Sequence, residues 1–139
     1  MKTSLKIRAG FTAVFALACA GATAAAMTKD EYKAKQKAIA AEYQAERQKC
    51  GARYGNSLDL CVARTHGMRD VAKAELEAAY KPSPANNYKA AVARARSEYA
   101  IAKEECDAQK GAMKKKCVAD ARAAMDRALA EAKAKSYSG

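Results

Sequence analysis

Cys50-Gly51-Ala52-Arg53-Tyr54-Gly55-Asn56-Ser57-Leu58-Asp59-Leu60-Cys61 runs on into Val62-Ala63. Its echo, Cys106-Asp107-Ala108-Gln109-Lys110-Gly111-Ala112-Met113-Lys114-Lys115-Lys116-Cys117, runs on into Val118-Ala119. Each stretch sets ten residues between two cysteines and carries a glycine, Gly55 or Gly111, at the same internal position. Both are flanked by long segments rich in Ala, Lys, Glu and Arg, the composition of helices. Read together, they are two bends, each joining a pair of helices.

Outside the bends the correspondence continues without a gap. Tyr32-Lys33-Ala34 returns 56 residues later as Tyr88-Lys89-Ala90, and Glu42-Tyr43 as Glu98-Tyr99. Asp70, Ala72, Ala74 and Glu75 return as Asp126, Ala128, Ala130 and Glu131. Alanines match by chance in so biased a chain, but tyrosines, glycines and cysteines in one register do not. The sequence therefore predicts an internal duplication, with one hairpin over residues 27–82 and its copy over 83–139.

The first 26 residues stand apart. Lys2, Lys6 and Arg8 form a positive head, an apolar small-residue run follows, and Ala24-Ala25-Ala26 reads as a cleavage pattern. A signal peptide over residues 1–26 is expected, in preference to a retained anchor or to lipidation at Cys19, because the apolar run is short of the ~20 residues a span needs. Its removal leaves four cysteines bound for an oxidising compartment, periplasmic or secreted. Without Lys2, Lys6 and Arg8, 23 basic residues face 15 acidic ones, a net charge of +8.

Thr28-Lys29-Asp30-Glu31 forms a capping box, with Met27 and Tyr32 placed for a hydrophobic staple, and predicts a helix from about Thr28 to Arg53. Tyr32, Gln36, Ile39, Tyr43, Glu46 and Cys50 share one stripe of it. Asn56 or Ser57 is placed to cap a second helix, which Lys81-Pro82-Ser83-Pro84 ends. Tyr88, Val92, Ala95, Tyr99, Ala102 and Cys106 repeat the stripe, and a fourth helix is expected over Met113 to Ala134. The fold class is all-α, either a four-helix bundle or an elongated array.

Four cysteines allow three connectivities. Geometry favours Cys50–Cys61 and Cys106–Cys117, because a helix ending at one cysteine and a helix starting at the next bring their Cβ atoms together. Large aliphatic residues are few, so such staples carry unusual weight. A ten-residue spacing suits neither a redox pair nor zinc, which wants closer cysteines or histidines. His66 is the one histidine, its counterpart in the copy is Arg122, and it reads as a surface residue. No metal or other cofactor is expected.

Tyr32, Ile39, Tyr43, Tyr88, Val92 and Tyr99 are expected to pack, supplying area that alanines cannot. An aromatic ladder for sugars or bases is the sharper alternative. Lys110, Lys114, Lys115 and Lys116 form a basic patch at the second bend, by default solvated, or a contact for anionic polymers. The chain has no G-x-S-x-G, G-x-G-x-x-G, Walker or H-E-x-x-H pattern and no nucleic-acid recognition signature, so it is read as non-enzymatic.

An Ala/Lys helix, a Glu-Tyr or Ala-Tyr pair, Cys-x10-Cys-Val-Ala with Gly55-Asn56 before the second cysteine, and another Ala/Lys helix resemble a group of small exported proteobacterial proteins. They are largely uncharacterised, and some carry a TolA-like or cell-envelope label. The second copy lacks Asn after Gly111. The resemblance covers the mature chain and implies no catalytic residues. It implies a structural or interaction protein of the envelope. Its partners would be an envelope protein, further copies of itself or an anionic polymer. An electrostatic binder of anionic envelope polymers or nucleic acid is the alternative, and a thiol or metal stress protein the third reading.

Overall fold

The computed structural model describes residues 26–137, so the expected leader, with Cys19, falls almost wholly outside the described residues. Four helices follow one another: α1 (Lys29–Cys50), α2 (Asn56–Tyr80), α3 (Pro84–Cys106) and α4 (Gly111–Tyr137). No strand occurs among the described residues. The all-α reading and both hairpins stand.

Local chemistry sets the ends. Thr28 Oγ1 accepts the Glu31 amide at 3.2 Å, and the Glu31 carboxylate accepts the Thr28 amide at 2.7 Å, completing the capping box. The Thr28 amide first, and then the Thr28 hydroxyl donating at 2.9 Å, hold the Glu31 carboxyl below its ordinary range. Ser83 caps α3 by accepting the Asn86 amide at 3.1 Å, and Pro84 takes the first-turn place where a missing N–H costs nothing. The start of α2 differs from expectation. Gly55, not Asn56 or Ser57, is the residue before the helix, with φ at 54° and no side-chain cap. Ser57 Oγ donates instead to the Tyr54 carbonyl at 2.7 Å. Gly111 takes the matching φ of 59°, so both bends turn through a left-handed conformation that strains any residue with a Cβ.

The helices pack side by side as in a bundle, but the bundle does not close. Each touches only its neighbours in sequence. Among the described residues no Cα of α1 comes within 8 Å of α3 or α4, and none of α2 comes within 8 Å of α4. The result is an open row with the α2–α3 seam at its centre. Little is buried among the described residues: Cys50, Leu76, Ala90, Ala95, Cys106 and Ala132 are the buried apolar residues, joined by Thr65 and Gly67.

The central seam is close because Gly67 has no side chain. A Cβ there would lie 1.9 Å from Ser97 Oγ and 2.9 Å from Ser97 Cβ. Rotating the hydroxyl relieves only the first clash, so a larger residue must push α2 from α3. Helix propensity favours any substitution of a mid-helix glycine by about 1 kcal/mol, but overpacking costs about 1–3 kcal/mol and wins for a bulky side chain. Gly67→Leu is therefore expected to lower stability by about 1 kcal/mol, read as a reduced urea midpoint.

Candidate functional site

The α1–α2 hairpin holds the densest collection of interacting side chains. At its bend, Cys50 and Cys61 are bonded with Cα atoms 5.6 Å apart. Cys106 and Cys117 repeat the bond at 5.7 Å. The local pairing anticipated from spacing is the one formed, and bonded cysteines fit an oxidising compartment. Thr65, buried one turn beyond Cys61, donates from Oγ1 to the Cys61 carbonyl at 2.8 Å and lies 3.6 Å from Cys50 Sγ.

Above the bend a groove of about 270 Å³ opens between the two helices. Ile39, Met68, Val71 and Ala72 give it apolar walls, and Glu42, Glu46 and Glu75 its carboxylates. Tyr43 stands within it, half-buried. Its hydroxyl is 3.2 Å from His66 Nε2, the two rings meet edge to face, and the Arg69 guanidinium sits 4.6 Å over the ring. Arg69 also reaches Asp70 at 2.7 Å. Met68 is half exposed on this face (52%). The donors here are spread out, and among the described residues no three His, Cys, Asp or Glu side chains gather as a metal would require. What the groove offers is apolar contact under a carboxylate rim.

At the far end the hairpin is closed by a clasp. Tyr32 stacks on Tyr80 with centroids 4.2 Å apart, and its hydroxyl donates to the Glu77 carboxylate at 2.6 Å while accepting from Gln36 Nε2 at 2.9 Å. Glu77 is held below its ordinary range, first by the Tyr32 hydroxyl and then by Lys81 against the opposing effect of burial. The same hydrogen bond pushes Tyr32 up.

The remaining sequence candidates are distributed. Ile39, Tyr43 and Tyr32 lie in the α1–α2 seam; Tyr88 and Val92 line a hollow between α2 and α3; Tyr99 is half-buried on α3. Of the basic patch, Lys114 pairs with Asp107 at 2.9 Å and Lys116 with Asp120 at 2.6 Å, while Lys110 and Lys115 are exposed. Glu77, Tyr80, Thr65 and Arg69 were not singled out from sequence. Counting outward from the staple finds one of them: Tyr32 lies 18 residues before Cys50, and Tyr80 19 after Cys61, so an antiparallel pair must bring Tyr80 to Tyr32. No helix among the described residues is long and apolar enough to cross a membrane.

A scan against protein-family models, a search of curated proteins and a search of solved structures each find no match to this chain.

Closing a loop of this length by a disulfide stabilises by about 3 kcal/mol. Replacing Cys50 and Cys61 together by alanine should cost about that much in urea unfolding, and the Cys106/Cys117 pair likewise. Non-reducing peptide maps should show only these two bonds.

The clasp makes stability depend on pH. A carboxylate whose pKa falls on folding stabilises the fold above its ordinary value and yields that as acid protonates it. Glu77 therefore weakens the hairpin as pH drops from 4.5 downward. Tyr32, shifted upward, yields its share only as pH rises beyond 10. Tyr32→Phe should lower the melting temperature near neutrality and flatten its decline between about pH 7 and 3. The acid-side loss that comes from Glu31 should remain.

Proposed function

We propose that this protein is a non-enzymatic structural or interaction protein of the cell envelope, exported, and built from a duplicated hairpin. The observation that carries this reading is the open helix row. Such a row stands on bend disulfides rather than on a large core, and it spends its side chains on surface. The duplication draws support from structure as well as sequence: bonded cysteines and left-handed glycines recur 56 residues apart, and the helix ends recur within one residue of that spacing.

The α1–α2 groove suits a helical segment with an apolar stripe and flanking Lys or Arg. Ile39, Met68 and Val71 would take the stripe, and Glu42 the cations. The electrostatic alternative rests on Lys110 and Lys115, since Lys114 and Lys116 already hold carboxylates. These exposed pairs are weak, so that alternative is separated by experiment.

A cationic amphipathic helical peptide is the probe for the groove, and a polyphosphate chain the probe for the tip. Losing a buried methionine contact costs about 1.5–3 kcal/mol, tenfold or more in affinity. Met68→Glu is expected to weaken peptide binding by that factor and leave polyphosphate binding unchanged. If the peptide does not bind, while polyphosphate binds and loses about a hundredfold between about 50 and 200 mM salt, the electrostatic reading replaces this one. Replacing Lys110, Lys114, Lys115 and Lys116 by serine would then abolish binding.

A further inference from the structure

The chain already contains one seam between successive hairpins, α2 against α3, and the 56-residue correspondence says what a second such seam would be. In that register α4 stands where α2 stands, and α1 where α3 stands. The outer faces of α1 and α4 are the two faces of the row with no helix beside them among the described residues.

At the tightest approach and at one ion pair, the two faces match the internal seam. The tight approach of Gly67 to Ser97 maps onto Ala123 and Ala41, so a methyl is added on one side where a hydroxyl is removed on the other. The Arg64–Glu105 ion pair, 2.8 Å long, maps onto Asp120 and Lys49: both signs are exchanged and the attraction is kept. Ala34, Ala41, Ala45 and Lys49 on α1, and Ala119, Asp120 and Ala123 on α4, are all exposed. Lys49 and Asp120 now pair only within their own helices, with Glu46 and Lys116, in exposed contacts that cost little to exchange. The Arg94–Glu75 pair has no counterpart, because Ala38 stands opposite Glu131.

We infer that a second copy of this chain docks the outer face of its α1 against the outer face of α4, head to tail, continuing the helix row. The contact is heterologous, so each docked copy leaves one α1 face and one α4 face free to add another, giving open chains or a closed ring. The inference rests on the duplicated-hairpin reading and does not use the α1–α2 groove, so Met68→Glu should leave self-association intact while impairing the groove.

Sedimentation of the oxidised protein, obtained by expressing the full chain, tests it. The mass should grow with concentration up to about 1 mM. Ala41→Arg should stay monomeric. Lys49→Asp places two acids at the junction and Asp120→Lys two lysines, so each variant alone should be monomeric. Their equimolar mixture should assemble, because every junction between unlike copies then joins opposite charges. All these positions are exposed, so helix content should equal that of the parent. A parent that stays monomeric overturns the inference. So does assembly that Ala41→Arg leaves intact, or a mixture no larger than its separate parts.

Discussion

Two covalent bonds at the bends decide how this chain can fold. Among the described residues Leu76 is the one large aliphatic side chain that is buried, and burying such a residue is worth about 1.5–3 kcal/mol. Each disulfide contributes about 3 kcal/mol by constraining the unfolded chain. The two bonds together therefore contribute more than that buried aliphatic side chain does. They also hold α1 beside α2 and α3 beside α4. Cys50 and Cys106 are themselves among the most buried residues, so the staple doubles as packing.

With the bends fastened, each seam is finished by different chemistry. Between α1 and α2 it is aromatic and polar, through Tyr32, Tyr43, Tyr80 and Glu77. Between α2 and α3 it is small, with Gly67 against Ser97 and ion pairs at Arg64–Glu105 and Arg94–Glu75. Near the end of α4 it is alanine and short polar residues around Ala91, Ala132 and Ser136. The clasp is not repeated, since Lys133 and Ser136 occupy the places of Glu77 and Tyr80.

Much of the architecture was legible in the chain, for reasons particular residues supply. The cysteine spacing, the recurring glycines and the Thr28 box each act locally, and local signals survive without tertiary information. Helical period likewise put Tyr32, Ile39, Tyr43 and Cys50 on one inward stripe. The choice between a closed bundle and an open row was not legible, because alanine on every face of a helix marks no particular neighbour. Gly67 reads in sequence as a weak point in a helix, and its value comes from Ser97, thirty residues away. Asn56 and Ser57 are good caps by type, yet Gly55 holds the position because the bend needs its positive φ. Lysines at the second tip read as free charge until Asp107 and Asp120 are seen beside two of them.

The fastenings alternate along the row like the folds of a concertina. The disulfides tie α1 to α2 and α3 to α4 at one end of the molecule, and Pro82-Ser83 ties α2 to α3 at the other. The first two seams are therefore covalently shut at one end and latched at the opposite one: Tyr32 with Tyr80 and Glu77 for the first, Arg64 with Glu105 for the second. Thermal opening of such a body is a gaping at the latches, with the hinge at the bends, so the outer helices swing from their distal tips while their bend-side turns stay in place.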